Sequence, residues 1–261
     1  MRIVTNNKLA RRNRQFATYL FFATMALLVA SFFLINQNLF TEERRDPLLM
    51  LAQALALPMA FLLTLISVRM TNLWAREPRP EKAIDEGLKG ISKKSVLYNY
   101  YHIPARHVLI VPQGVFVIVT RWHPGKFSVE GNRWKTHAGA ISKFFSSLRM
   151  DGVGNPTLDA KRAAEIIERE LEDIAPDLEV QPLIVFIDPK AEFDTEDTAV
   201  PVLYADTKQK PNLKDYMRDL NRQAEAEGRK RTELPLTQQQ IDEFEAKTLD
   251  DAQATTAQES N

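Results

Sequence analysis

Between Ala105 and Lys135 the chain places five basic side chains, Arg106, Arg121, Lys126, Arg133 and Lys135, and a single acid, Glu130. Guanidinium and ammonium groups gathered on neighbouring strands are what a phosphate backbone or another anion needs. Arg106, Arg121, Lys126 and Arg133 are therefore the candidate anion-binding residues, although each taken singly is also the ordinary charge of a solvated strand. Other chemistries find less support. The chain of 261 residues has 0 Cys, which excludes disulfides, thiolate zinc sites and a cysteine nucleophile. His102, His107, His123 and His137 show no short paired spacing, so no zinc site is expected. Ser142, Ser146 and Ser147 lack a nucleophile-elbow motif. No cofactor and no metal ion are expected. With 34 basic and 34 acidic residues the net charge is zero and argues neither for nor against a nucleic-acid partner.

The elements that must position these residues are legible as periodicities. Two apolar runs, His107 to Val111 and Val115 to Thr120, flank Pro112-Gln113-Gly114 and read as a β-hairpin. Ahead of it, Ala83 to Leu97 reads as a short helix interrupted by Gly87 and Gly90. Lys126 to Trp134 alternates around Glu130-Gly131-Asn132 and is expected to supply a third strand. Leu158 to Ile174 has helical spacing, with Thr157 as its expected N-cap. Gln181 to Ile187 is a continuous apolar run, the pattern of a strand buried on both faces, and Val200 to Tyr204 is a shorter strand. Together they predict an α/β domain over residues 83–221. Residues 222–261 read as a charged, largely disordered tail with one short helix opened by a Thr237/Gln240 capping box.

Upstream lie two uncharged apolar stretches, residues 16–35 and 48–68, each about the ~20 residues a helix needs to cross a bilayer. They read as a transmembrane hairpin, with residues 36–47 as a tight polar turn and 69–82 as a juxtamembrane linker. Arg2, Lys8, Arg11, Arg12 and Arg14 precede the first span, and Arg69, Arg76 and Arg79 follow the second. The positive-inside rule then puts both termini and the soluble domain, residues 1–15 included, in the cytoplasm of a cell-membrane protein. Ala26 and Ala30, and Ala52, Ala56 and Ala60, offer small faces for packing the hairpin or a homodimer. Pro58 is expected to kink the second span. The spans contain no Asp, Glu, Lys, Arg or His, which favours an anchor over a transport path.

The hairpin segment resembles the core of the nuclease-related domain (NERD) family, relatives of the PD-(D/E)xK nucleases. That core runs Asp-His-x-x-hydrophobic-x-Pro-x-Gly-hydrophobic-Phe-hydrophobic-hydrophobic-Glu-x-Lys. The Gly125-Lys126 turn, Trp134, the Asn155-Pro156 dipeptide and the strand Leu183 to Ile187 extend the likeness, in order, over Lys89 to Leu220. The resemblance implies a restriction-endonuclease-like fold, a mixed sheet flanked by helices. It also implies a site at which carboxylates hold Mg²⁺ beside a lysine. Here Arg106 stands for the Asp, His107 is kept, Val119 stands for the Glu and Arg121 for the Lys. The expectation is a membrane-anchored pseudoenzyme that binds nucleic acid, another anion or a protein partner. The alternative is a metal-dependent nuclease with a rearranged site, to which Glu130, Asp151 or Asp159 supplies the missing carboxylate.

Overall fold

The computed structural model describes residues 1–36, 47–137, 139, 152–228 and 233–258. Two units are distinguished. Of the described residues, one unit comprises 7–36, 47–79 and 152, and the other comprises 1–6, 80–137, 139, 153–228 and 233–258.

In the first unit, α1 (Asn7–Asn36) packs against α2 (Pro47–Trp74). Both are long and apolar enough to span a bilayer. The polar turn predicted between them falls, for residues 37–46, outside the described residues. The packing is inverted relative to a soluble helix pair: Ala10, Ala17, Thr24 and Ser31 are buried at seven-residue spacing, while Tyr19 is 69% and Phe22 64% exposed. Ala60 and Ser67 make the facing seam of α2. For the packing of the hairpin, this corrects the predicted small-residue faces. Ala26, Ala30 and Ala52 point outward, and of the five only Ala60 is buried. Thr24 and Thr64 return their hydroxyls to the carbonyls of Leu20 and Ala60, both at 2.7 Å. Gln53 Nε2 donates to the Leu34 carbonyl at 2.9 Å across the helices. Pro58 sits within the uninterrupted α2.

The second unit is built on a six-stranded mixed sheet in the order β1-β2-β3-β4-β7-β9. Its strands are β1 (Arg2–Thr5), β2 (Val96–His102), β3 (Ala105–Val111), β4 (Gly114–Arg121), β7 (Val180–Phe186) and β9 (Val202–Tyr204). β2, β3 and β4 are antiparallel neighbours, whereas β1, β7 and β9 join in parallel. Alternate residues bury on opposite faces, which is why the runs are continuously apolar. Val108, Ile110, Val115 and Val117 meet Ala163, Ala164 and Ile167 of α4 (Pro156–Leu171). On the other face Leu109, Val111, Phe116 and Ile118 meet Ile84 of α3 (Pro80–Gly87), with Leu213 and Met217 of α5 (Leu213–Ala226). Helix α3 ends where its chain presses on its neighbour: a Cβ on Gly87 would lie 2.6 Å from the Ala205 carbonyl oxygen. The helix is therefore shorter than expected, and Val96 and Leu97 already belong to β2.

Three further features depart from the sequence reading. The segment expected to give one third strand forms two, β5 (Gly125–Glu130) and β6 (Arg133–His137), which with β8 (Ala191–Glu196) make a separate three-stranded sheet. The N-cap of α4 is Asn155, whose Oδ1 accepts from Leu158 N at 3.1 Å. Thr157 is buried instead and accepts from Trp134 Nε1 at 2.8 Å. The helix opened by the Thr237/Gln240 box is α6 (Gln238–Gln258), with Gln240 N donating to Thr237 Oγ1 at 3.3 Å. It is not isolated, because Leu236, Ile241 and Phe244 are buried against β2 and α4 residues.

Candidate functional site

The β3–β4 hairpin sets the geometry of the positions singled out by type. His107 pairs with Ile118 and Val108 with Val117, so the same antiparallel register puts Arg106 opposite Val119. Arg106, Val119 and Arg121 thus share the sheet face covered by α4, while His107 faces the other side. Across β4 the parallel partners of Val119 and Arg121 are Ile184 and Phe186, which bring no oxygen ligand.

Arg121 is the best-anchored of these groups. Its Nε donates to the Val153 carbonyl at 3.2 Å and its Nη1 to the Thr120 carbonyl at 3.1 Å, and its Nη2 pairs with Asp159 Oδ2. Asp159 lies in the first turn of α4, where a carboxylate also complements the helix dipole. Burial lowers the Arg121 pKa and Asp159 opposes that shift, while the Arg106 charge nearby adds to it. The guanidinium stays charged all the same, since its ordinary pKa lies so far above neutrality. Val119 is packed between two core clusters. His107 is fully buried, with Nδ1 2.8 Å from Asn99 Oδ1 and the Tyr100 ring 5.2 Å away. Burial first, and the charge of Arg106 second, push its imidazole down to about 3, so it is neutral at ordinary pH.

The remaining basic candidates are not on this sheet. Lys126 sits on β5 with Nζ 3.0 Å from Glu192 Oε2, its register partner on β8. Arg133 is exposed at the start of β6, opposite Glu130, and Lys135 lies 3.8 Å from Glu130. The predicted basic cluster is therefore divided between two sheets, and each half carries acids of its own. The histidines are also dispersed. His102 Nδ1 lies 2.8 Å from Glu170 Oε2, His123 stacks on Trp122, and His137 Nε2 lies 2.8 Å from Ser128 Oγ. Among the described residues no group of three or more His, Asp or Glu side chains converges as a metal site would require. Ser142, Ser146, Ser147 and Asp151 lie outside the described residues.

Residues 79–187 match the family model of the nuclease-related domain. The chain carries a NERD domain. The matched span begins ahead of Lys89 and stops short of Leu220, so it takes in α3 through β7 and leaves out β1, β8, β9, α5 and α6. No curated protein matches the chain, and no solved structure matches it. The metal implied by the NERD resemblance can be tested against the residues present. Mg²⁺ wants several oxygen ligands in near-octahedral array. Among the described residues the site offers one carboxylate, Asp159, already bonded to a guanidinium, with a second arginine beside it and an aliphatic side chain between. These residues do not fit the ion.

What sequence reasoning did not supply is the tie from Arg121 to Val153 and the polar set on the opposite face, in which Asn99 Nδ2 donates to Thr5 Oγ1 at 3.1 Å. Neither leaves a periodic signal, because each depends on which strand lies beside which.

Proposed function

We propose that this protein is a membrane-anchored module whose NERD domain binds a ligand at the cytoplasmic face and does not cleave nucleic acid. The observation that carries this reading is the Arg121–Asp159 pair. The carboxylate that the described residues bring to the site is occupied by a side chain, and the position of the family lysine holds a cation unsuited to accepting a proton. Arg106, half-buried on the same face, supplies positive charge toward an anionic ligand, with nucleic acid the first class to test. A protein partner or a second copy of the chain are the other occupants of such a module. The anchor is supported by the length and apolar exterior of α1 and α2. A common side for the N-terminus and the domain is supported by β1: residues ahead of the first candidate span pair with Val96 to Asn99 of β2. The excess of basic residues at the chain ends of the two helices favours the cytoplasm as that side.

The test uses the full-length protein in detergent, because β1 and α6 are part of the domain. Incubation with single- and double-stranded DNA and RNA over Mg²⁺ and Mn²⁺ is expected to give no cleavage. Binding of labelled DNA is expected to weaken steeply with salt and to fall in Arg106→Gln. Metal-dependent cleavage abolished by Asp159→Asn would instead establish the rearranged nuclease. Absence of DNA binding at low salt would turn the search to protein partners.

A further inference from the structure

We propose that the basic end of the α1–α2 pair is a binding surface for anionic phospholipid headgroups, selected over zwitterionic ones. The inference rests on the membrane-anchor reading above. Lys8, Arg11, Arg12 and Arg14 lie in the first two turns of α1, and Arg69 and Arg76 at the closing end of α2. Arg14 Nε donates to the Trp74 carbonyl at 3.3 Å, so the start of one helix lies against the finish of the other and both basic groups fall at the same end. Residues 1–36 and 47–76 contain no carboxylate. Glu77, the first acid after α2, is held by Arg79 at 2.7 Å. Lys8, Arg11, Arg12 and Arg69 are exposed.

The apolar exterior begins directly beside this charge, with Phe16 and Tyr19 exposed just beyond Arg14 on α1 and Ile66 just before Arg69 on α2. An apolar surface that stops at a belt of cations is matched by an acyl chain that stops at a phosphate. Long Lys and Arg side chains at helix ends reach to the headgroup level. Attraction to an anionic leaflet grows with each such residue and falls within a Debye length. A zwitterionic headgroup presents the same phosphate with its own compensating cation, so the exposed Lys8, Arg11 and Arg69 favour the headgroup that lacks one.

The experiment uses full-length protein in a mild nonionic detergent. Phosphatidylglycerol and phosphatidylcholine are offered in equal amounts, and retained lipid is read by native mass spectrometry at low and high salt. Preferential retention of phosphatidylglycerol is expected. The preference should weaken at high salt and fall about tenfold or more in the triple variant Lys8→Gln, Arg11→Gln, Arg69→Gln. Circular dichroism of that variant, together with unchanged retention of phosphatidylcholine, shows that the helices remain folded. Equal retention of the two lipids, or an undiminished preference in the variant, overturns the proposal. Complete competition by inorganic phosphate at the same concentration also overturns it, by making the site one for a free anion. A protein that stays soluble without detergent and does not partition into vesicles removes the anchor reading itself, an outcome distinct from an anchored protein without lipid preference.

Discussion

His107 on β3 and Arg121 on the paired β4 behave in opposite ways. Arg121 is a cation that the fold satisfies, through Asp159 and the carbonyls of Val153 and Thr120. His107 is a base that the fold keeps neutral, with its imidazole pushed down to about 3 by burial. A folded-state pKa below the unfolded value means that the unfolded chain binds the extra proton. The stabilisation is therefore complete above the unfolded value of about 6.5 and is lost as pH falls from there toward 3. Each pH unit in that window is expected to cost at most ~1.4 kcal/mol through this residue. Urea midpoints of the wild type and of His107→Asn at pH 7, 6, 5 and 4 check it: the variant is less stable at neutrality and shows the shallower decline. Parallel declines would remove His107 as the source.

Among the elements, α3 shows how a residue that reads as a helix breaker is placed by packing. Gly87 is buried, and a Cβ there would meet the Ala205 backbone oxygen at 2.6 Å, a contact that no rotamer change relieves. Gly87→Ala is expected to destabilise the domain by about 1–3 kcal/mol despite the better helix propensity of alanine, as seen in thermal or urea unfolding. A stabilised variant would show that α3 can shift away. The elements with long apolar runs, β3, β4 and β7, and the amphipathic α4 were legible because their periodicity is local and their burial strong. β1 and β8 were not. RIVT is four residues long and reads as part of a basic terminus, and AEFDTE is half charged, with Ala191 buried and Phe193 packed beside it. Both acquire their strand conformation from a parallel partner distant in sequence, to which local pattern is blind. The same holds for the division of the basic residues between two sheets, which follows from β5 pairing with β6 and β8 rather than with β4.

At the scale of the whole molecule, three separated pieces of chain make one domain. Arg2 pairs with Glu245 and donates to Tyr98 Oη at 3.3 Å, while Tyr98 Oη donates to Glu245 at 2.5 Å, so β1, β2 and α6 are joined by side chains as well as by the ladder. A fragment limited to residues 83–221 lacks β1 and α6 and uncovers Val96, Tyr98 and Ile174. That fragment is expected to be less stable and to give poorer amide dispersion by NMR than one extended to residue 258, and supplying residues 1–6 is expected to improve it further. Equal spectra would mean that the terminal segments only decorate the domain. The sequence by itself determined two apolar helices of spanning length, an α/β core and the presence of an arginine at position 106 and a valine at position 119. Each of these is a property of residue type or of spacing within one element. Only the tertiary structure decided that Asp159 is taken by Arg121, that His107 faces away from Arg106, and that the two chain ends close the sheet. Those outcomes depend on strand order and register, which are settled when surfaces far apart in the chain are buried together.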